Sequence, residues 1–258
     1  MAKKIHSTAI IEPGAQLADD VEVGAQAYIG SQVKIGPGSV IMHHATVEGD
    51  TSIGRCNVIY PYAYLGGLTQ DLKYTGGKSR LLIGDNNIFR EFFTIHTATS
   101  PNHATIVGDN NAFLAYAHVA HDCVVGSGVI MSSHSALGGH VLVEDYANIG
   151  WGSGVHQFCR IGSYAMLSAM SKATMDVPPY MIADGNPART KAFNKILLDR
   201  HGFNEQEIRV IREIYVMLYV QKGIRADSLA KLREASLTSG DLYDRVCSFF
   251  DASTRGVC

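Results

Sequence analysis

Long apolar runs are missing from this 258-residue sequence. No stretch approaches the roughly 20 apolar residues that span a bilayer, so no membrane insertion is expected. The start, Met1-Ala-Lys-Lys-Ile-His6, has no apolar segment, and no secretory signal peptide is expected. Cysteine is scarce and odd in number, at five. Cys56, Cys247 and Cys258 form no motif, so the chain reads as a reduced, cytoplasmic protein rather than a disulfide scaffold. Charge of one sign is missing too: the net charge of −2 excludes a global nucleic-acid footprint. There is no P-loop and no Gly-x-Ser-x-Gly elbow. Aromatic residues make up only 9% of a chain that is 46% hydrophobic. What remains is aliphatic residues and 26 glycines, and their order is informative.

From Ile5 to Leu65 an aliphatic residue recurs at every sixth position. The register resumes at Ile83, Phe89 and Ile95, and again from Val107 to Leu167. A strict short period marks a solenoid. Six is neither the helix period nor strand alternation. It fits a left-handed parallel β-helix of hexapeptide repeats, with three sides of six residues per triangular coil. The residue after the aliphatic one is often glycine, as at Gly36, Gly84 and Gly138, which relieves a tight corner. The residue two before it is small, as at Ala117, Cys123, Ser135 and Cys159. Both positions point inward on an extended side. Cys123 and Cys159 therefore read as packed core thiols. Aromatic side chains are not expected to fit so thin a prism.

The register breaks over residues 66–82 and 96–106. Both gaps are whole multiples of six, so the phase is kept. The first is polar and bracketed by glycines, and reads as a loop thrown out from the scaffold, where binding residues often reside. The prism is expected to occupy residues 1–188 and a helical domain residues 189–258. Asn204 and Glu207 form a capping-box pattern, followed by Ile208, Ile211, Ile214 and Leu218 at helical spacing. Gly223 is expected to end that helix, with two shorter helices over 227–236 and 241–252. The stretch 160–200 is mildly basic, with Arg160, Lys172, Arg189, Lys191, Lys195 and Arg200, and suits an acidic partner.

Eleven histidines are the remaining anomaly. With 18 residues per coil, Val119, Leu137 and Val155 stack. The turns they start carry His121, His140 and His156, with His118 and His134 nearby. Three readings are open: exposed polar positions, a metal site, and acid–base chemistry. The spacings His118-x2-His121 and His134-x5-His140 do not match the His-x4-His pair of hexapeptide carbonic anhydrases. Acid–base chemistry fits best. Asp122 follows His121 directly and is placed to orient its imidazole. Gly138-Gly139 offers backbone N–H groups to a developing oxyanion. Direct transfer with a histidine base fits better than a covalent intermediate.

The motifs Tyr116-Ala-His-Val-Ala-His-Asp-Cys123, Leu137-Gly-Gly-His140, Val155-His-Gln-Phe-Cys159, Gly185-Asn-Pro-Ala188, Arg200-His-Gly-Phe203 and Ser253-Thr-Arg-Gly256 resemble one family closely. It is that of the acyl-[acyl-carrier-protein]–UDP-N-acetylglucosamine O-acyltransferases. The resemblance runs from about residue 5 to 256. It implies a homotrimer with active sites between prisms, and transfer of a (R)-3-hydroxyacyl group from acyl carrier protein to the 3-hydroxyl of UDP-N-acetylglucosamine. This is the first step of lipid A biosynthesis. No cofactor or metal is implied, since the donor rides on the carrier's phosphopantetheine. His121 matches the catalytic base, Asp122 its partner and Gly139 the oxyanion donor. Asp71, Lys73, His96, His118, His140, His156, Gln157, Asn194 and Arg200 match substrate-binding positions. Ala169 and Met170 match the stretch that limits acyl length. The chain departs from the usual pattern at Thr97, where arginine is common, and at Ile196 and His201. A paralogue acting on another UDP-sugar, such as a 3-amino sugar, and a zinc-dependent carbonic-anhydrase-like enzyme are the competing expectations.

Overall fold

The computed structural model describes residues 4–221, 225–239 and 241–258. Residues 4–173 wind as a left-handed parallel β-helix. Three sheets of 11, 9 and 8 strands form its sides. Lys4 pairs with Glu22 in the first sheet, Ile10 with Tyr28 in the second and Gln16 with Lys34 in the third, so a coil is 18 residues. Most strands are two residues long, one pointing out and one in. The inward aliphatic residue and the small residue two before it are both buried. Ala117 with Val119 and Ser135 with Leu137 are such pairs.

Most sides end in a three-residue corner whose last member has positive φ. These members include His44, Tyr62, Asp122, His140 and Phe158, none of them glycine. The corner's strain therefore falls two residues after the repeated glycine. That glycine is needed for a different reason, the approach of the next coil. A Cβ on Gly36 would stand 2.6 Å from the Gly54 carbonyl, and one on Gly138 2.8 Å from the Gln157 nitrogen.

The expectation that aromatics stay out of the prism is wrong. Phe89, Phe93 and Phe113 are fully buried inside it. The rings of Phe89 and Phe113 lie 5.1 Å apart and 4° from parallel. In-register coils stack about 4.8 Å apart, so flat rings on successive coils cover one another face to face. Beside them Asn57, Asn87 and Asn111 form a buried column. Each side-chain oxygen accepts the backbone N–H one coil on, at 3.0, 2.9 and 2.7 Å. Each such bond contributes about 0.5–1.5 kcal/mol.

Two insertions interrupt the winding. Asp50 pairs with Arg80 and Arg80 with Ala104, so the chain takes 30 and then 24 residues to come round. Residues 68–79 form the first loop, with Leu72 fully exposed at its tip.

Beyond the prism an antiparallel hairpin, Met181–Gly185 with Ala188–Phe193, leads into the helices. They are α1 (Lys195–Arg200), α2 (Glu205–Tyr215), α3 (Arg225–Ser239) and α4 (Asp241–Asp251). The capping box forms: the Asn204 side chain accepts from Glu207 N, and Glu207 accepts from Asn204 N. Gly223 lies outside the described residues. Tyr180, Leu198, Ile211, Ile214, Leu232 and Val246 make a second core. Arg160 joins the two parts, with its guanidinium 4.4 Å above the Phe249 ring and 3.0 Å from Glu144.

Candidate active site

The corner between the second and third sheets carries the chemistry. On successive coils it reads Ala120-His121-Asp122, Gly138-Gly139-His140 and His156-Gln157-Phe158. Backbone bonds clamp these turns together: His140 N donates to the His121 carbonyl, and Phe158 N to that of Gly139. Positive φ at Asp122 folds its carboxylate back toward its neighbour, and Oδ2 lies 2.8 Å from His121 Nδ1. Oδ2 also accepts the Thr99 N–H at 2.8 Å, while Asp122 N donates to Thr105 Oγ1. Burial works against the charged carboxylate. The Thr99 N–H, His121 and His140 outweigh it, and the Asp122 pKa lies below its ordinary value. An ionised Asp122 accepts a proton-bearing Nδ1, which leaves the lone pair of His121 on Nε2.

Gly139 sits directly over that nitrogen. A Cβ there would stand 2.5 Å from His121 Cε1 and 2.6 Å from Nε2. His140 completes the group, with ring centroids 5.2 Å from His121 and Nε2 3.9 Å from Asp122. Ligand atoms of His121, Asp122 and His140 all fall within 4.8 Å of one another, so the trio has the composition to hold a metal ion.

On the adjoining strand His118 Nδ1 lies 2.7 Å from Thr94 Oγ1, and its ring is 5.3 Å from that of His96. Burial, then His96 and His121, press the His118 pKa down to about 4. Burial and His121 lower that of His96. Both rings are neutral near pH 7. A groove of about 580 Å³ runs along the outer face of the second sheet past His118, Ala136, Gly138, Gly154, His156, Met170 and Lys172.

The structure thus brings His96, His118, His121, Asp122, Gly139 and His140 together. His156 and Gln157 follow one coil on, and Met170 faces His156 across the groove. Ala169 is exposed at the same turn as Met170. His134 does not join the cluster. It stands at the corner between the first and second sheets, stacked 4.9 Å from Tyr116. Asp71 turns back on its own loop, accepting from Lys73 N at 3.0 Å. The base of that loop still reaches the dyad, since Thr69 Oγ1 lies 2.6 Å from Thr99 Oγ1, and Thr99 N bonds Asp122. Asn194 and Arg200 lie at another corner, against Tyr164 and on α1; Asn194 is buried and donates to the Tyr164 carbonyl at 3.0 Å. Sequence reasoning missed Thr99, because its contact is through the backbone, and missed Arg255, which lies within the quoted Ser253-Thr-Arg-Gly256 motif and touches His156.

A curated relative from Burkholderia orbicola, an acyl-[acyl-carrier-protein]–UDP-N-acetylglucosamine O-acyltransferase, is 43% identical over 98% of both chains. The chain belongs to that family. The family model for UDP-N-acetylglucosamine O-acyltransferase, domain 2, matches residues 176–258. Among solved structures, LpxA of Acinetobacter baumannii superposes with a TM-score of 0.93 at 37% identity, covering 98% of each chain. The UDP-N-acetylglucosamine acyltransferase of Francisella novicida gives 0.94 at 33% identity, over 98% of this chain and 93% of its own. Thr97 is buried and accepts from Ser79 Oγ at 3.2 Å. His201 packs 4.7 Å from Tyr146, and Ile196 is exposed on α1.

Proposed function

We propose that this protein transfers a (R)-3-hydroxyacyl group from acyl carrier protein to the 3-hydroxyl of UDP-N-acetylglucosamine. The observation that carries this reading is the His121–Asp122 pair with Gly139 against the reactive nitrogen, beside a groove lined by the adjoining His118, Ala120, Gly138 and His156. His121 Nε2 takes the proton of the sugar hydroxyl as its oxygen attacks the thioester carbon. The carbonyl oxygen becomes an oxyanion, for which the Gly139 N–H is the donor. Collapse breaks the carbon–sulfur bond, and the proton on His121 passes to the departing phosphopantetheine thiolate. Asp122 holds the tautomer and offsets the transient imidazolium charge. A cysteine intermediate is disfavoured. Burial pushes the Cys123 thiol up to about 12 and raises that of Cys159.

His96, His118, His140, His156 and Gln157 contact the sugar nucleotide in this reading. Asp71, Lys73, Asn194 and Arg200 lie elsewhere in the same chain, and they complete the site if prisms assemble as a homotrimer with shared sites. The division at residue 188, with the prism before it and the helical part after it, falls within the hairpin of Met181–Gly185 and Ala188–Phe193. Acyl carrier protein meets the basic surface of Lys172, Arg189, Lys191 and Lys195. Arg160 is already committed to Phe249 and Glu144. Ala169 is small and Met170 flexible, which suits a medium to long acyl chain. Among the described residues no helix is long and apolar enough to cross a membrane. A cytoplasmic protein without a resident cofactor is the corresponding proposal.

A ladder of 3-hydroxyacyl carrier thioesters assayed against UDP-N-acetylglucosamine tests donor and acceptor together. Product is expected with a graded length preference, since one methylene is worth about 1–3 kcal/mol. Turnover only with a 3-amino sugar nucleotide would overturn the acceptor.

A further inference from the structure

Residues 253–258 return to the prism, and Asp176, which is 1% exposed, gathers them. Its N–H donates to the Gly256 carbonyl, its carbonyl accepts from Cys258 N, and its Oδ2 accepts from the Ser253 hydroxyl at 2.7 Å. This strap lays Arg255 beside His156. Arg255 Nη2 stands 3.2 Å from His156 Nδ1 and 3.3 Å from the Thr174 carbonyl. His156 Nδ1 also lies 3.2 Å from the carbonyl oxygen of Gln157.

These two neighbours demand opposite things of one nitrogen. A guanidinium is always a donor, so its bond needs a bare lone pair on Nδ1. A carbonyl is always an acceptor, so its bond needs a proton there. One neutral imidazole cannot satisfy both. The charged donor makes the stronger bond, by roughly a factor of two. The proton then sits on Nε2.

We propose that Arg255 is a positioning residue that fixes His156 in its Nε2–H tautomer, so that the ring offers a hydrogen-bond donor to the sugar nucleotide. Without the guanidinium, the Gln157 carbonyl selects Nδ1–H, and Nε2 becomes an acceptor. A ligand oxygen that had received a hydrogen bond then meets a lone pair. Arg255 touches no reacting atom. The substrate part of the proposal rests on the assignment of His156 to the sugar nucleotide; the tautomer part does not.

The test is long-range ¹H–¹⁵N NMR of the imidazoles in the full-length protein, with His156 assigned by its loss in His156→Gln. The wild type should show a bare Nδ1, and Arg255→Met should show Nδ1–H. Arg255→Lys, which keeps a donor, should retain Nε2–H, and it carries the measurement if Arg255→Met fails to fold. The kinetic expectation is a KM for UDP-N-acetylglucosamine raised about three- to tenfold in Arg255→Met with kcat little changed, as for one lost hydrogen bond. An Nδ1–H tautomer in the wild type, or the same tautomer in wild type and Arg255→Met, would overturn the proposal. The tautomer readout needs no substrate, so failure of the acyltransferase reading would show separately, as absent wild-type turnover.

Discussion

Two corners of the same prism follow one backbone recipe and serve opposite ends. Between the second and third sheets the corner residues are His121, Asp122, Gly139, His140 and His156, of which His156 lines the groove that the neighbouring Ala120 and Gly138 also line. Between the third and first sheets the stacked residues are Tyr146, Tyr164 and Tyr180. Their rings are 4.9 and 5.9 Å apart, and His201 and Phe203 pack against Tyr164. Both sets place a non-glycine residue at positive φ. The hexad thus fixes where a side chain projects, and only its chemistry decides between a reaction site and a packing surface. The reactive corner leaves the Asp122 Oδ1 and His96 Nδ1 atoms buried without hydrogen-bond partners. The tyrosine corner buries ring faces under the helices.

If that division holds, rate and stability separate by corner. The largest expected effect is at His121. His121→Ala should lose roughly two to four orders of magnitude in kcat, measured at saturating substrates, with an unchanged melting temperature. Gly139→Ala should lose roughly 10²–10³-fold, because the methyl group needs the space held by the His121 ring and displaces the oxyanion donor. Tyr164→Ala should do the reverse, costing about 2–3 kcal/mol of unfolding free energy in urea titrations, with an effect on kcat far smaller than that of His121→Ala, since the bond from Asn194 goes to the Tyr164 backbone carbonyl. A Tyr164→Ala protein that is stable but inactive would break the comparison.

Acid sharpens it further. The His118 pKa is about 4 in the fold, while an unfolded histidine titrates near 6.5. Between those values the unfolded chain binds a proton that the folded one refuses. Stability from this residue is therefore full above about pH 6.5 and falls as pH drops toward 4, by at most about 3 kcal/mol. His118→Gln should flatten that slope in pH-dependent unfolding, and an unchanged slope would count against a buried neutral imidazole.

The prism was legible because a period of six can be satisfied by few structures, and the small and large inward positions left a mark in every hexad. The Phe89–Phe113 stack was not, because composition says nothing about rings meeting face to face on successive coils. The histidine corner could be read from 18-residue stacking, which put His121, His140 and His156 together but also drew in His134. A position differing by one side of the triangle projects elsewhere, and His134 stacks on Tyr116. The hairpin and α1 carried no clear periodic signal, being short or dependent on tertiary packing; Leu218 belonged to the helical pattern, but that pattern did not distinguish the π-helical turn at Val216–Val220 from a continued α-helix. Thr99 acts through a backbone N–H, which no side-chain pattern reveals.

Direct attack from a histidine-activated hydroxyl is the centre of the account, and intact-protein mass spectrometry addresses it. The wild-type enzyme is mixed first with 3-hydroxyacyl carrier protein alone, then with UDP-N-acetylglucosamine. The account expects the enzyme's mass to stay constant in both steps, with acyl transfer only after the sugar nucleotide is added and only to that molecule. A stoichiometric acyl adduct on the enzyme, discharged on adding UDP-N-acetylglucosamine, would contradict it.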